Sequence, residues 1–218
     1  MIQKKLEELK GRLKESAFLV GGMIEKSIRG LIERRRELLL EVIEKDEERE
    51  NRIELEIDEA CIQMIARYQP QARDLRKVMM IARMNNDFER MADEAVNIAE
   101  AALFLIERPQ VKPLVDIPRM AEEAEGMMQD SLASFMNGDT RLSREVCGRD
   151  DIVDNLRDQI LRELITFMAS DPSVIDRSIR LIRISRSLER IGDLSTNICE
   201  DVIYMVEGKI VRHCKEGL

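Results

Sequence analysis

Hydrophobic positions in this chain step alternately by three and four residues over two long stretches. Ile81, Met84, Phe88, Met91, Ala95, Ile98, Ala102 and Leu105 keep that rhythm, and so do Leu181, Ile184, Leu188, Ile191, Ser195, Ile198, Val202 and Met205. Only Ser195 interrupts the apolar stripes. A sustained 3–4 alternation marks a long helix packed with near-coiled-coil geometry. The polar positions between the stripes recur too. Glu89-Arg90-Met91-Ala92-Asp93, followed by Asn97-Ile98-Ala99-Glu100, returns one hundred residues later as Glu189-Arg190-Ile191-Gly192-Asp193 and Asn197-Ile198-Cys199-Glu200. Two matches at one offset point to an internal duplication.

The remaining pattern predicts three helices in each half. In the first half they cover about 3–43, with Gly21-Gly22 and Gly30 loosening it locally, about 46–68, and about 73–107 after a turn at Gln69-Pro70. The segment Arg108-Pro109-Gln110-Val111-Lys112-Pro113 carries two prolines, which stop one helix and delay the next. It sets the expected boundary between a first unit, 1–108, and a second, 114–218. The second unit begins a helix near Pro118 and breaks at Asn137-Gly138-Asp139. A short helix up to Cys147-Gly148 and another over about 150–168 follow. The last helix starts at the Asp171-Pro172 cap pair and ends at Gly208. Short loops force antiparallel neighbours. The predicted fold is all-α: two tandem, pseudo-symmetric three-helix bundles.

Composition sharpens this picture. Hydrophobic residues make up 44% and aromatics only 3%, so the core is aliphatic and methionine-rich. Charged residues reach 36%, against about 25% in ordinary globular chains, which suits long helices with charged outer faces. The net charge of −8 argues against nonspecific nucleic-acid binding and is compatible with bound cations. The run Arg34-Arg35-Arg36 lies between Glu33 and Glu37 and reads as a solvated helix face. Cys61, Cys147, Cys199 and Cys214 lack the close spacing of zinc or redox motifs and read as small thiols in a reducing compartment. No apolar run approaches the roughly 18 residues of a membrane span, and the N-terminus is too polar for a signal peptide. The expectation is a cytoplasmic protein that meets a membrane only through partners.

Candidate chemistry is carried by carboxylates. Glu89 and Asp93 stand one turn apart on one helix face, as do Glu189 and Asp193. Counting outward from the turns places Asp46, Glu47, Glu50 and Asn51 opposite the first pair, and Asp150, Asp151 and Asp154 opposite the second. Carboxylates gathered at one level repel unless a cation lies between them, and all-oxygen ligands suit Mg²⁺, Mn²⁺ or oxidised iron. The metal-ligand set expected on this count is Glu89, Asp93, Glu47 and Asn51 in the first half and Glu189, Asp193, Asp150 and Asp154 in the second. With Asn51 in place of a carboxylate, the second half is the stronger candidate. The same carboxylates lie on the outward side of the apolar stripe, where they could equally meet water or pair with Arg52, Arg90 and Arg157. Both readings stand on the sequence. The sole histidine, His213, rules against His-based acid–base, nucleophilic or di-iron sites, and there is no glycine loop to cradle phosphates. No enzymatic activity is expected.

At these residues the chain resembles the PhoU family of phosphate-transport regulators. The resemblance runs through Ile57-Asp58-Glu59-Ala60-Cys61, Ile65-Ala66-Arg67-Tyr68-Gln69-Pro70, Asp74-Leu75-Arg76 and Glu89-Arg90-Met91-Ala92-Asp93. In the second half it continues through Asp150-Asp151-Ile152-Val153-Asp154, Arg162-Glu163-Leu164, Asp171-Pro172 and Leu188-Glu189-Arg190-Ile191-Gly192-Asp193. Met91-Ala92 departs from the usual Ile-Gly, and Leu194 stands where His often follows the motif Asp. The resemblance implies metal ions on the paired motifs, with iron, manganese, magnesium or zinc as candidates, and frequent homodimers. It also implies a role as adaptor between the ATPase subunit of a phosphate ABC transporter and a sensor histidine kinase, repressing starvation genes and uptake when phosphate is plentiful. Two other classes remain open: a metal-storage or redox helical protein, and a metal-free helical scaffold.

Overall fold

The computed structural model describes residues 2–208, 211–212 and 215–216. His213 and Cys214 lie outside the described residues. The described residues form seven α-helices: α1 (Ile2–Ile32), α2 (Arg36–Glu41), α3 (Glu47–Tyr68), α4 (Ala72–Ile106), α5 (Asp116–Asn137), α6 (Thr140–Ser170) and α7 (Ile175–Glu207). A π-helical turn over Val42–Asp46 joins α2 to α3, and a 3₁₀ turn over Pro172–Val174 precedes α7. Two short strands, Val211–Arg212 and Lys215–Glu216, pair antiparallel near the C-terminus.

The 3–4 stripes form the core. Ile81, Met84, Phe88, Met91, Ala95, Ile98 and Ala102 are all buried, as are Leu181, Ile184, Leu188, Ile191, Ser195, Ile198 and Val202. Ser195 fits because its hydroxyl donates to the Ile191 carbonyl at 2.8 Å, so no polar atom is orphaned. In the first repeat Gln3 meets Asp74 at one end and Arg34 meets the Ile106 carbonyl at the other, so α1 and α4 run parallel and pack directly together, with α3 antiparallel against both. The second repeat copies this with α5, α6 and α7.

The two repeats pack along α4 and α7. Arg83 pairs with Asp201 at 3.0 Å, and Arg183 reaches Asn97 at 2.5 Å and Glu100 at 3.6 Å. The crossed pairing shows that α4 and α7 are antiparallel. It also gives Asn97 and Glu100 a structural job, holding the partner repeat.

Three helix boundaries differ from the sequence reading. The first helix ends at Ile32 rather than near Ile43. The chain turns at residues 33–35, and the second helical arm starts at Arg36. Arg34 takes φ 56° there, and its guanidinium donates to the carbonyls of Ile106 and Arg108. The arginine run is therefore a tertiary-held turn and not a helix face. Gly30 makes room for the turn, since a Cβ on it would meet Leu39 Cδ2 at 2.4 Å. In the second repeat no break occurs at Gly148, and α6 is continuous from Thr140 to Ser170. Elsewhere the cap signals hold: Asp139 accepts from Arg141 and Leu142 amides, Asp171 accepts from the Ser173 amide, and Gly138 and Gly208 take positive φ at the ends of α5 and α7.

Cys61 and Cys199 are free and buried, and burial pushes both thiols up to about 12, so neither is a reactive thiolate. Cys147 is disulfide-bonded, which corrects the expectation of a thiol there. Among the described residues no helix is long and apolar enough to cross a membrane.

Candidate functional site

Each repeat carries one carboxylate cluster, between the second helical arm and the long closing helix. In the first repeat α3 and α4 are aligned by two contacts, Asn85 to the Glu54 carbonyl at 3.0 Å and Cys61 to the Val78 carbonyl. This register sets Glu50 and Glu54 of α3 against Glu89 and Asp93 of α4. Glu50 is 1% exposed and accepts one hydrogen bond, from Ser16 Oγ at 3.1 Å. Its other oxygen, Oε2, has no hydrogen-bond partner. Burial, together with the charges of Glu89, Glu54 and Asp93, pushes Glu50 up to about 7 despite the Ser16 bond. Burial also raises Glu89, with Asp93 and Glu54 adding repulsion, and raises Asp93.

The partners expected for this pair are Glu47 and Asn51; the structure brings Glu50 and Glu54 into electrostatic reach of it. Asn51 is exposed and lines a groove of about 780 Å³ between α1 and α3, together with Arg52, away from α4. Glu47 is half-buried. Asp46 is buried in an ion pair with Lys26 at 2.7 Å. The signal that identifies the right residues is in the sequence. Glu50 and Glu54 stand one hundred residues before Asp150 and Asp154, the same offset that relates Glu89 and Asp93 to Glu189 and Asp193.

In the second repeat Asp150 and Asp154 do face Glu189 and Asp193. Asp150 Oδ1 lies 3.8 Å from where a Cβ on Gly192 would stand, an ordinary contact that puts Asp150 directly beside α7. Burial pushes Asp150 up to about 6, with Asp193, Asp154, Asp151 and Glu189 contributing repulsion. This cluster has a cation of its own. Arg157 pairs with Glu189, with Asp154 at 3.1 Å and with Asp158 at 2.8 Å. Asp193 pairs with Arg190 at 3.4 Å. Glu189 and Asp154 thus share Arg157, and Asp193 has Arg190, while Asp150 meets only the repulsion of its carboxylate neighbours.

As the side chains stand, no group of three or more His, Cys, Asp or Glu among the described residues is arranged to hold a metal ion. The chemistry of the first cluster nevertheless fits a hard cation. Its donors are all oxygen, one of them is buried without a hydrogen bond, and their mutual repulsion would be relieved by a positive charge. The residues placed to supply such ligands are Glu50, Glu54, Glu89 and Asp93.

Comparison with known proteins bears on what this architecture is. The model of the PhoU domain matches residues 13–102 and again 117–202, one match per repeat. The phosphate-specific transport system accessory protein PhoU homolog of Aquifex aeolicus is 44% identical over 210 residues, covering 96% of this chain and 95% of that protein. The corresponding Pseudomonas putida protein is 38% identical, covering 95% and 81%. The crystal structure of PhoU from Pseudomonas aeruginosa superposes with a TM-score of 0.91 at 35% identity, over 95% of this chain and all (100%) of that one. That of the phosphate transport system regulatory protein PhoU from Streptococcus pneumoniae gives 0.88 at 25% identity, over 97% and 100%. With both repeats matched and its relatives aligned nearly end to end, this chain belongs to the PhoU family.

Proposed function

We propose that this protein is a negative regulator of phosphate uptake and of the phosphate-starvation response. It acts in the cytoplasm as an adaptor between the ATPase subunit of a phosphate ABC transporter and a sensor histidine kinase, and it catalyses no reaction itself. The observation that carries the proposal is the alignment of the whole chain, both repeats included, with phosphate-specific transport accessory proteins. Its surface chemistry supports the reading. A chain of net charge −8 with acidic clusters on its helical faces favours partners that present basic patches, and such complementarity speeds encounter and fixes orientation. Homodimerisation belongs to the same proposal.

A metal ion on Glu50, Glu54, Glu89 and Asp93 would supply a positive charge that cancels their repulsion and stiffens the α3–α4 face. The protein's own residues supply the rest. Ser16 orients Glu50 from α1, and the Asn85 side chain fixes the register of α3 against α4.

The test is direct binding of the purified full chain to the purified ATPase subunit and to the cytoplasmic part of the kinase from the same cell, by biolayer interferometry. Saturable binding to both, weakening as salt rises, is expected. Absence of binding to either at concentrations on the order of tens of micromolar, near the weak end of specific association, would contradict the adaptor role.

A further inference from the structure

Besides α4 and α7, α1 and α5 form a second seam between the repeats, and it opens into a groove of about 700 Å³. The two helices touch at Gly21, where an added Cβ would meet Met128 Cε at 3.2 Å and Glu125 Oε1 at 3.9 Å. From there the groove runs roughly 17 Å, about three helical turns, towards Lys14 on α1 and Asn137 on α5. Its apolar wall is made by Phe18, Met128, Leu132, Ala133 and Met136. Phe18 is 70% exposed, more than any other large hydrophobic side chain among the described residues, with Lys14 over its ring at 5.6 Å. Gly22 also lines the groove, and nothing lies within 4 Å of an added Cβ there, so bare helix backbone faces the opening. At the closed end two like charges approach each other, Glu25 of α1 and Glu125 of α5. Burial and the charge of Glu25 raise the Glu125 carboxyl, against the hydrogen bond it accepts from Gln129 at 2.9 Å. Arg29 stands 3.5 Å from Glu25 and is shared with Glu33 at 3.3 Å. No residue of either carboxylate cluster lines this groove.

We propose that the α1–α5 groove docks one amphipathic helix of a protein partner, with apolar side chains along one face and a lysine or arginine at the end that meets Glu25 and Glu125. The inference rests on the adaptor role proposed above and gives it a surface. Shape selects a helix. A straight channel between two antiparallel helices accepts a third, whose side chains at i, i+3 or i+4, and i+7 reach the wall. Gly22 lacks the side chain that would hold an incoming backbone away, and the methionines adapt their shape to what enters. Phe18 supplies an aromatic anchor, the kind of residue that carries much of the energy of such contacts. Charge selects the sequence and fixes the direction. A cation at the closed end relieves the repulsion between Glu25 and Glu125, whereas an acidic residue there would add a third like charge.

The experiment uses the full chain with the two purified proteins of the binding test above, the ATPase subunit and the cytoplasmic part of the kinase. The sequence has no tryptophan, so Phe18→Trp places a single fluorescent reporter at the exposed rim of the groove. Its emission is expected to move saturably to shorter wavelength with at least one of the two proteins. Gly22→Leu puts a branched side chain into the groove from a position where an added Cβ meets nothing. Its thermal melt is expected at or above that of wild type, while binding to that partner weakens by at least about tenfold. Glu25→Lys, at an exposed position, is expected to weaken the same binding by about tenfold and to reduce its salt dependence. Wild-type binding of both proteins by both variants, with no change in emission, would overturn the groove assignment and leave the adaptor role intact. Failure of the wild-type chain to bind either protein would overturn both. An emission shift that follows the concentration of the chain itself, or that phosphatidylcholine–phosphatidylglycerol vesicles produce without a partner, would give the groove to a second copy or to a membrane and overturn the proposed occupant.

Discussion

At the scale of single residues, Glu50 is the most informative group in the molecule. Its usual carboxyl value of 4.5 rises to about 7 in the folded chain. The folded state therefore holds this proton more tightly than the unfolded state, and the protein loses stability as pH climbs from about 4.5 to 7. A difference of that size corresponds to about 3 kcal/mol. Glu50→Gln, melted in the presence of chelator, is expected to be more stable than wild type at pH 8 by up to about 3 kcal/mol and close to it at pH 4.5. Equal melting curves at pH 8 would show that Glu50 is not held as a strained carboxylate. The residue was hard to read from sequence alone. Counting level positions from the turn gives the height along α3, and the contacts of Asn85 with Glu54 and of Cys61 with Val78 keep one register about that turn. Level alone does not fix the face, and it is Glu50 that turns inward while the adjacent Asn51 turns to the α1–α3 groove. Glu89, Asp93, Glu189, Asp193, Asp150 and Asp154 were legible because repetition marks them. The pairing of Arg157 is visible in the sequence as an alternative, and the structure places it against Glu189 and Asp154.

At the scale of elements, glycines within helices carry opposite meanings. Gly30 lets the fully buried Leu39 pack against α1, where an added Cβ would meet Leu39 Cδ2 at 2.4 Å and the Arg35 carbonyl oxygen at 3.2 Å. Gly30→Ala is expected to destabilise the protein by about 1–3 kcal/mol through overpacking. Gly148 lies inside α6 with nothing within 4 Å of an added Cβ. Gly148→Ala is expected to stabilise by about 0.5–1 kcal/mol, because alanine is the better helix former. Thermal melts of the two variants should shift in opposite directions, and a shift in the same direction would contradict the packing described for one of them. The same contrast explains which boundaries the sequence revealed. Caps with local chemistry, such as Asp171 and Gly208, were readable because their partners lie within a few residues. The 33–35 turn has no proline or glycine, and it is held by Arg34 bonding to carbonyls more than seventy residues away. Gly148 was a weak breaker that tertiary packing overrides.

At the scale of the whole molecule, duplication does two things. It places two carboxylate faces on one chain, and it joins the repeats along antiparallel α4 and α7, where Arg83 and Arg183 play matching parts. Exposed ion pairs of this kind contribute little individually. The buried aliphatic stripes supply the cohesion, and the pairs set register. Duplication followed by divergence at a few side chains gives one scaffold two electrostatically distinct faces, which suits a protein whose proposed work is to contact more than one partner. The central claim is that these contacts report phosphate sufficiency. The measurement that tests it most directly is a phosphate-starvation reporter in the protein's own host, grown in phosphate-rich medium with the gene deleted and then restored. The account predicts that the reporter switches on after deletion and falls silent on restoration. A reporter that stays off after deletion would contradict the regulatory role.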